Sequence, residues 1–146
     1  MRKTAKLQLI WIKPVRKEAM KPMNSVRVIA NTGILGNAEQ GGKRQITVIQ
    51  KEVFDRIRSQ LGQGIQPIMR RANFMISGLD LEESAGRVIK IGDLRLMING
   101  ETKPCSRMDE AFPGLRKALE TEWGGGVYGV PLNDATVSTG DPVSWD

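Results

Sequence analysis

Arg87 to Ile98 reads RVIKIGDLRLMI. Two short runs rich in valine, isoleucine and leucine, Arg87–Ile91 and Leu94–Ile98, flank Gly92-Asp93. The glycine supplies the backbone freedom of a tight turn, so the stretch predicts a strand, a turn and a strand with no room for a helix between them. Asn99-Gly100 follows as a second turn signal. Upstream, Lys6–Lys13 (KLQLIWIK) alternates Leu7, Leu9 and Trp11 with polar residues, the pattern of a half-buried strand. Val26–Ala30 (VRVIA), Gln45–Gln50 (QITVIQ) and Phe74–Ser77 (FMIS) read as further short strands. Between the last two, Val53, Phe54, Ile57 and Leu61 recur at helical spacing, which predicts an amphipathic helix over Lys51–Leu61, ended by Gly62 and Gly64.

The connections are read from their punctuation. Lys13–Ser25 carries Pro14, Pro22 and four basic residues and reads as a loop. Asn31–Lys43 holds four glycines and reads as a long connection. Ser106 and Asp109 have a capping-box spacing before a helical stretch, and Pro113 fits the first position of a helix carrying Leu115 to Thr121. From Trp123 onward the chain is glycine-rich and β-like, and Gly140-Asp141-Pro142 turns into a last short strand. Seven or eight short strands with two or so helices predict a mostly β fold, a closed or partly closed barrel. A doubly wound α/β fold would need a helix between most strands.

With 146 residues the chain fits one domain, residues 1–146, and folding would hide about 70% of its unfolded surface, enough for a core without staples. It contains no histidine and one cysteine, Cys105. These counts exclude a Ser-His-Asp triad, a Cys-His dyad, an intrachain disulfide, and zinc sites built from histidine or from four cysteines. No apolar run approaches the ~18 residues of a membrane span, and Lys13 cuts off the early stretch Leu7–Ile12 before any small-residue cleavage site. A cytoplasmic setting is expected on these grounds.

The net charge of +6 is unevenly placed: residues 1–73 hold 15 Lys/Arg against 4 Asp/Glu, residues 74–146 hold 7 against 12. A basic half suits a phosphate, an acidic protein partner or nucleic acid, or is simply a solvated face. Aromatic content of 5% and the absence of any nucleic-acid-binding signature argue against the third.

One ordered set of motifs is more informative. It comprises Arg44-Gln45 leading into a strand, Arg70-Arg71-Ala72-Asn73 leading into Phe74–Gly78, Gly86, Ile91-Gly92-Asp93, Pro104-Cys105, Gly124–Val130 and Gly140-Asp141-Pro142-Val143. Together these resemble the MOSC domain, the module at the C-terminus of molybdenum cofactor sulfurases and of small stand-alone bacterial proteins. The resemblance is strongest over residues 26–143. One departure is evident. Small members of the family carry a histidine in the loop before the Arg-Gln strand, where this chain has Gly36-Asn37-Ala38.

The resemblance implies a β-barrel similar to that of pyruvate kinase. It implies binding of the molybdenum cofactor or handling of sulfur, with Cys105 as the reactive residue and as the metal ligand. A family-wide association with pyridoxal phosphate binding is carried by the same module. Cys105 is flanked by Lys103 and Arg107, which would favour the thiolate that either role requires. Arg71 and Asn73 match the family's Arg-x-Asn and would hold phosphate and pterin, with Arg70, Arg44 and Lys103 as further basic candidates. Implied partners are a sulfur donor or acceptor protein and, for reduction of N-hydroxylated compounds, a separate electron donor. Two other readings stay open: a buried apolar Cys105, and a non-catalytic assembly module with a basic face for an acidic protein. Gly124–Gly126 has the composition of a phosphate-cradling loop but leads into a strand-like run, so a bent hairpin is read there.

Overall fold

A computed structural model describes residues 4–16, 18–62, 64–65, 72–104 and 106–146. Its main sheet has eight strands in the order β11-β7-β8-β9-β5-β6-β1-β2. These are β1 (Lys6–Ile12), β2 (Lys21–Met23), β5 (Ile46–Gln50), β6 (Phe74–Ser77), β7 (Val88–Ile91), β8 (Leu94–Glu101), β9 (Val127–Pro131) and β11 (Val143–Trp145). A second sheet, β10 (Ala135–Ser138), β3 (Ser25–Ile29) and β4 (Gly33–Ile34), closes over it. All pairings are antiparallel except β5 with β6, which are parallel and joined through helix α1 (Lys51–Leu61). A parallel pair needs such a crossover. Two short helices, α2 (Ser106–Ala111) and α3 (Leu115–Leu119), complete the elements.

The large sheet curls until its first strand meets its last. Leu7 N–H donates to the Asp141 carbonyl at 2.9 Å, Gly140 N–H to Leu7 at 2.7 Å, and Val143 N–H to Ala5 at 3.1 Å. Strand alternation then sorts the side chains into two cores. Leu7, Ile10, Val48, Phe74, Ile76, Leu96, Ile98 and Val127 fill the barrel interior with Val26, Val28, Ile34 and Val137 of the second sheet. On the outer face of β1, β5 and β6, Trp11, Ile49 and Met75 pack against Val53, Phe54 and Ile57 of α1, Met108 of α2, and Leu115 and Leu119 of α3. β5 is buried along its whole length because it carries both cores.

Several local expectations are corrected. Lys21–Met23 lies within the supposed loop 13–25 yet forms β2, pairing Ile10 with Met23 and Ile12 with Lys21. β4 interrupts the connection 31–43. Asn99-Gly100 is not a turn: β8 continues to Glu101, pairing Gly100 with Tyr128, and an irregularity between Ile98 and Gly100 takes up the extra residue. The last helical segment does not begin at Pro113. Gly114, at φ +87°, stands at its N-cap and Leu115 is the first helical residue. Asp109 reaches forward, accepting from the Arg116 N–H at 3.0 Å. No helix among the described residues is long and apolar enough to cross a membrane.

Candidate functional site

Described residues next to both motifs share one cluster on the helix-covered face of the sheet. Ala72 and Met75, on either side of Asn73-Phe74, belong to the same hydrophobic cluster as Met108, three residues beyond Cys105. Ala72 and Met108, 36 positions apart in the chain, are therefore buried in one cluster. Cys105, Arg70 and Arg71 themselves lie outside the described residues.

Asn73 is 6% exposed and its carboxamide is fully engaged. Oδ1 accepts from the Thr47 N–H at 3.1 Å and the Thr47 hydroxyl at 3.2 Å. Nδ2 donates to the Trp11 carbonyl at 3.2 Å and to Asn37 Oδ1 at 3.5 Å. The Asn73 N–H also donates to the Thr47 hydroxyl at 3.0 Å. An amide offers two donors and an oxygen with two lone pairs, so this set uses all of its capacity. Asn73 thus ties β1, β5 and β6 together at one point. Asn37, which stands in the loop where the family pattern has histidine, accepts from the Lys13 N–H at 2.8 Å and extends the same network.

Arg44 and Lys103 are both exposed. They are not brought together. β5 and β8 both run antiparallel to β9 and so point the same way; Arg44 precedes β5, whereas Lys103 follows β8. Gln45 N–H bonds to Gly129 and Thr102 N–H to Gly126. The two cations therefore stand near opposite ends of β9, about 20 Å apart at ~3.3 Å per strand residue.

Thr102 is a residue that no motif indicated. It is 1% exposed, and its N–H donates to the Gly126 carbonyl at 2.8 Å. Its hydroxyl has no hydrogen-bond partner among the described residues. A buried unpaired hydroxyl costs about 1–3 kcal/mol. Lys103, next along the chain, is already at the surface.

The glycine run is structural. A Cβ on Gly126 would lie 2.0 Å from the Val48 carbonyl oxygen, one on Gly124 would lie 2.9 Å from Leu119 Cα, and one on Gly129 would lie 2.1 Å from the Met97 carbonyl oxygen. These residues allow backbones to touch as the chain turns into β9. Gly140-Asp141 is likewise a turn, with Asp141 Oδ2 accepting from the Ser138 N–H at 2.8 Å.

Sequence reading also missed an acidic hollow of about 360 Å³ lined by Gln50, Glu52, Val53, Arg56, Asp80, Glu82, Glu83 and Glu122. These carboxylates come from separate segments, so no local spacing announces them. Several are already engaged: Glu52 accepts from the Gly78 N–H at 3.0 Å, Asp80 accepts from Gln50 Nε2 at 3.0 Å, and Glu122 pairs with Arg56. Among the described residues, no group of three or more His, Cys, Asp or Glu is arranged to hold a metal ion.

Comparison with known proteins adds the family. The family model described as MOSC domain matches residues 35–144. The crystal structure of YuaD protein from Bacillus subtilis superposes with a TM-score of 0.79 at 22% identity, covering 98% of this chain and 96% of that one. YiiM from Geobacillus stearothermophilus gives 0.75 at 19% identity, covering 97% and 75%. YiiM from Escherichia coli gives 0.69 at 13%, covering 97% and 69%. At these identities the likeness is one of fold. No curated protein matches the chain.

Proposed function

Since the chain belongs to the MOSC domain family, we propose that it binds the molybdenum cofactor at the helix-covered face, with Cys105 as the residue that reaches the metal. The observation that carries this reading is that Ala72 and Met75, beside Asn73, share one hydrophobic cluster with Met108, three residues beyond Cys105 in the chain. The surroundings fit such a group. Thr102 offers an unpaired buried hydroxyl three residues before Cys105, and exposed Lys103 offers a cation for a phosphate. A cysteine thiolate is a soft ligand suited to molybdenum.

When bound, the cofactor supplies a redox-active metal. The protein's part is to hold it. Asn73 fixes β1, β5 and β6 to one another. Arg70 and Arg71 are assigned the phosphate, for which a guanidinium fork is the better geometry. Lys103 adds charge without direction, and Arg44, at the far end of β9, is assigned a weaker, longer-range contribution. Reduction of N-hydroxylated compounds, with electrons from a separate donor protein, is the activity this reading puts forward.

The test is metal analysis of protein purified from molybdenum-replete cells, with fluorescence detection of the oxidised pterin. Wild-type protein should carry both, and Cys105→Ala should lose most of its molybdenum while keeping its melting temperature. Wild-type protein that acquires neither would end this reading.

A further inference from the structure

Asn99-Gly100 is neither a turn nor part of the cofactor reading. Of the six asparagines in the chain, only Asn99 is followed by glycine. Each of the two residues has its own structural reason. Ile98 pairs with Gly129 and Gly100 with Tyr128, so Asn99 is the extra residue of β8 and faces no partner on β9. It is exposed, and its Nδ2 donates to the Lys43 carbonyl at 2.8 Å. Gly100 lies against Tyr128: a Cβ there would stand 3.0 Å from the Tyr128 hydroxyl oxygen. The fold thus asks for an amide at one position and for no side chain at the next.

Side by side, the two make a reactive pair. With no Cβ on Gly100, its backbone nitrogen is an unhindered nucleophile toward the Asn99 carboxamide carbon. Once the Gly100 N–H has given its proton to hydroxide, that nitrogen bonds to Cγ, the Cγ–Nδ2 bond breaks, and ammonia leaves with a proton taken from water. Water then opens the five-membered imide. Opening at Cγ gives aspartate; opening at the main-chain carbonyl gives isoaspartate, with the chain rerouted through Cγ. Nothing is oxidised or reduced. A residue clamped between ladder partners is held away from this geometry, whereas Asn99 is bulged and exposed.

We propose that Asn99 is a site of spontaneous deamidation, and that the reaction releases the Lys43-Arg44 segment from β8. A carboxylate has no hydrogen to donate, so the bond to the Lys43 carbonyl is lost and oxygen faces oxygen. That carbonyl belongs to the Lys43–Arg44 peptide bond. Lys43 and Arg44 are both exposed, and the preceding Gly41 and Gly42 have open space beside them. A protease must draw the bond out of the fold before cutting it, so the Asn99 amide guards it.

The experiment ages the folded protein in mildly alkaline buffer and follows each asparagine by peptide mass spectrometry. Fresh and aged wild type, Asn99→Asp and Asn99→Gln are also exposed, still folded, to a lysine-specific protease, and the cut after Lys43 is timed. Asn99 should convert about tenfold faster than any other asparagine, because it alone precedes an unhindered nitrogen. Cleavage after Lys43 should be about fivefold faster in aged wild type and in Asn99→Asp, the effect of losing one hydrogen bond. Asn99→Gln, whose longer side chain closes an imide far more slowly, should show no change with age. The aged wild type gives its answer whether or not Asn99→Asp folds. Conversion of Asn99 no faster than that of the other asparagines would overturn the modification site. Conversion that leaves cleavage after Lys43 at the fresh wild-type rate would overturn the release.

Discussion

The side chain of Asn73 clasps Thr47: its carboxamide oxygen accepts from both the backbone N–H and the hydroxyl of Thr47, and its own N–H donates back to that hydroxyl. The two residues lie 26 positions apart and join the parallel strands β5 and β6 just where their ladder begins. Removing one partner strands the other in a buried setting. Asn73→Ala should cost about 3 kcal/mol, since the Thr47 N–H and the Trp11 carbonyl both lose a partner. Urea denaturation of Asn73→Ala, Thr47→Val and the double variant tests this. The pair should couple by at least about 1 kcal/mol, and additive losses would show that the clasp contributes little.

Gly126 and Gly140 separate two reasons for glycine. Both have positive φ, +83° and +92°. A Cβ at Gly126 would strike the Val48 carbonyl oxygen at 2.0 Å, whereas one at Gly140 meets nothing within 4 Å. Gly140→Ala should therefore cost about 1 kcal/mol, the strain of the left-handed backbone alone. Gly126→Ala should cost more than about 4 kcal/mol or prevent folding, because backbone must move. Similar losses in thermal melts of the two variants would contradict this.

Phe54 anchors the outer core, 2% exposed among Ile49, Ile57, Met75 and Leu115. Phe54→Ala should lower stability by about 3–5 kcal/mol. Because the barrel interior is a separate cluster, amide exchange should accelerate most in α1 and least in β7 and β8. Uniform acceleration would mean that the two cores open as one unit.

Lys103 and Arg44 are both exposed, so alanine at either should change stability by less than about 0.5 kcal/mol. Their effects on cofactor binding should differ. Lys103→Ala should weaken binding severalfold and reduce its salt dependence, since it lies two residues from Cys105. Arg44→Ala, at the far end of β9, should act weakly. An Arg44 effect equal to that of Lys103 would refute this assignment.

The sequence made the strongest elements legible because local pattern and burial agree there. Helix α1 spans Lys51–Leu61 and strand β6 spans Phe74–Ser77, both at the boundaries their patterns indicate. β2 and β4 were hidden because strands of three and two residues carry no periodicity, and Pro22 sits within one of them. Asn99-Gly100 misled because a turn-forming pair can equally occupy an irregular strand position, here with Asn99 Nδ2 donating to the Lys43 carbonyl at 2.8 Å. The motif singled out Asn73, but its engagement with Thr47 depends on strand register, which the sequence does not state. Thr102 left no signal at all, since what distinguishes it is a missing partner.

The meeting of Ala5 and Leu7 with Gly140–Val143 also governs how the molecule comes into being. These contacts span nearly the whole chain, and closing so large a loop is entropically the most demanding step of assembly. During synthesis the N-terminal half of β1 must wait with an open hydrogen-bonding edge until residues 140–143 emerge. An open edge is a template for the wrong neighbour. Chains halted before that point should therefore pair with one another, and the fastest route to aggregation runs through unfinished molecules rather than through damaged ones.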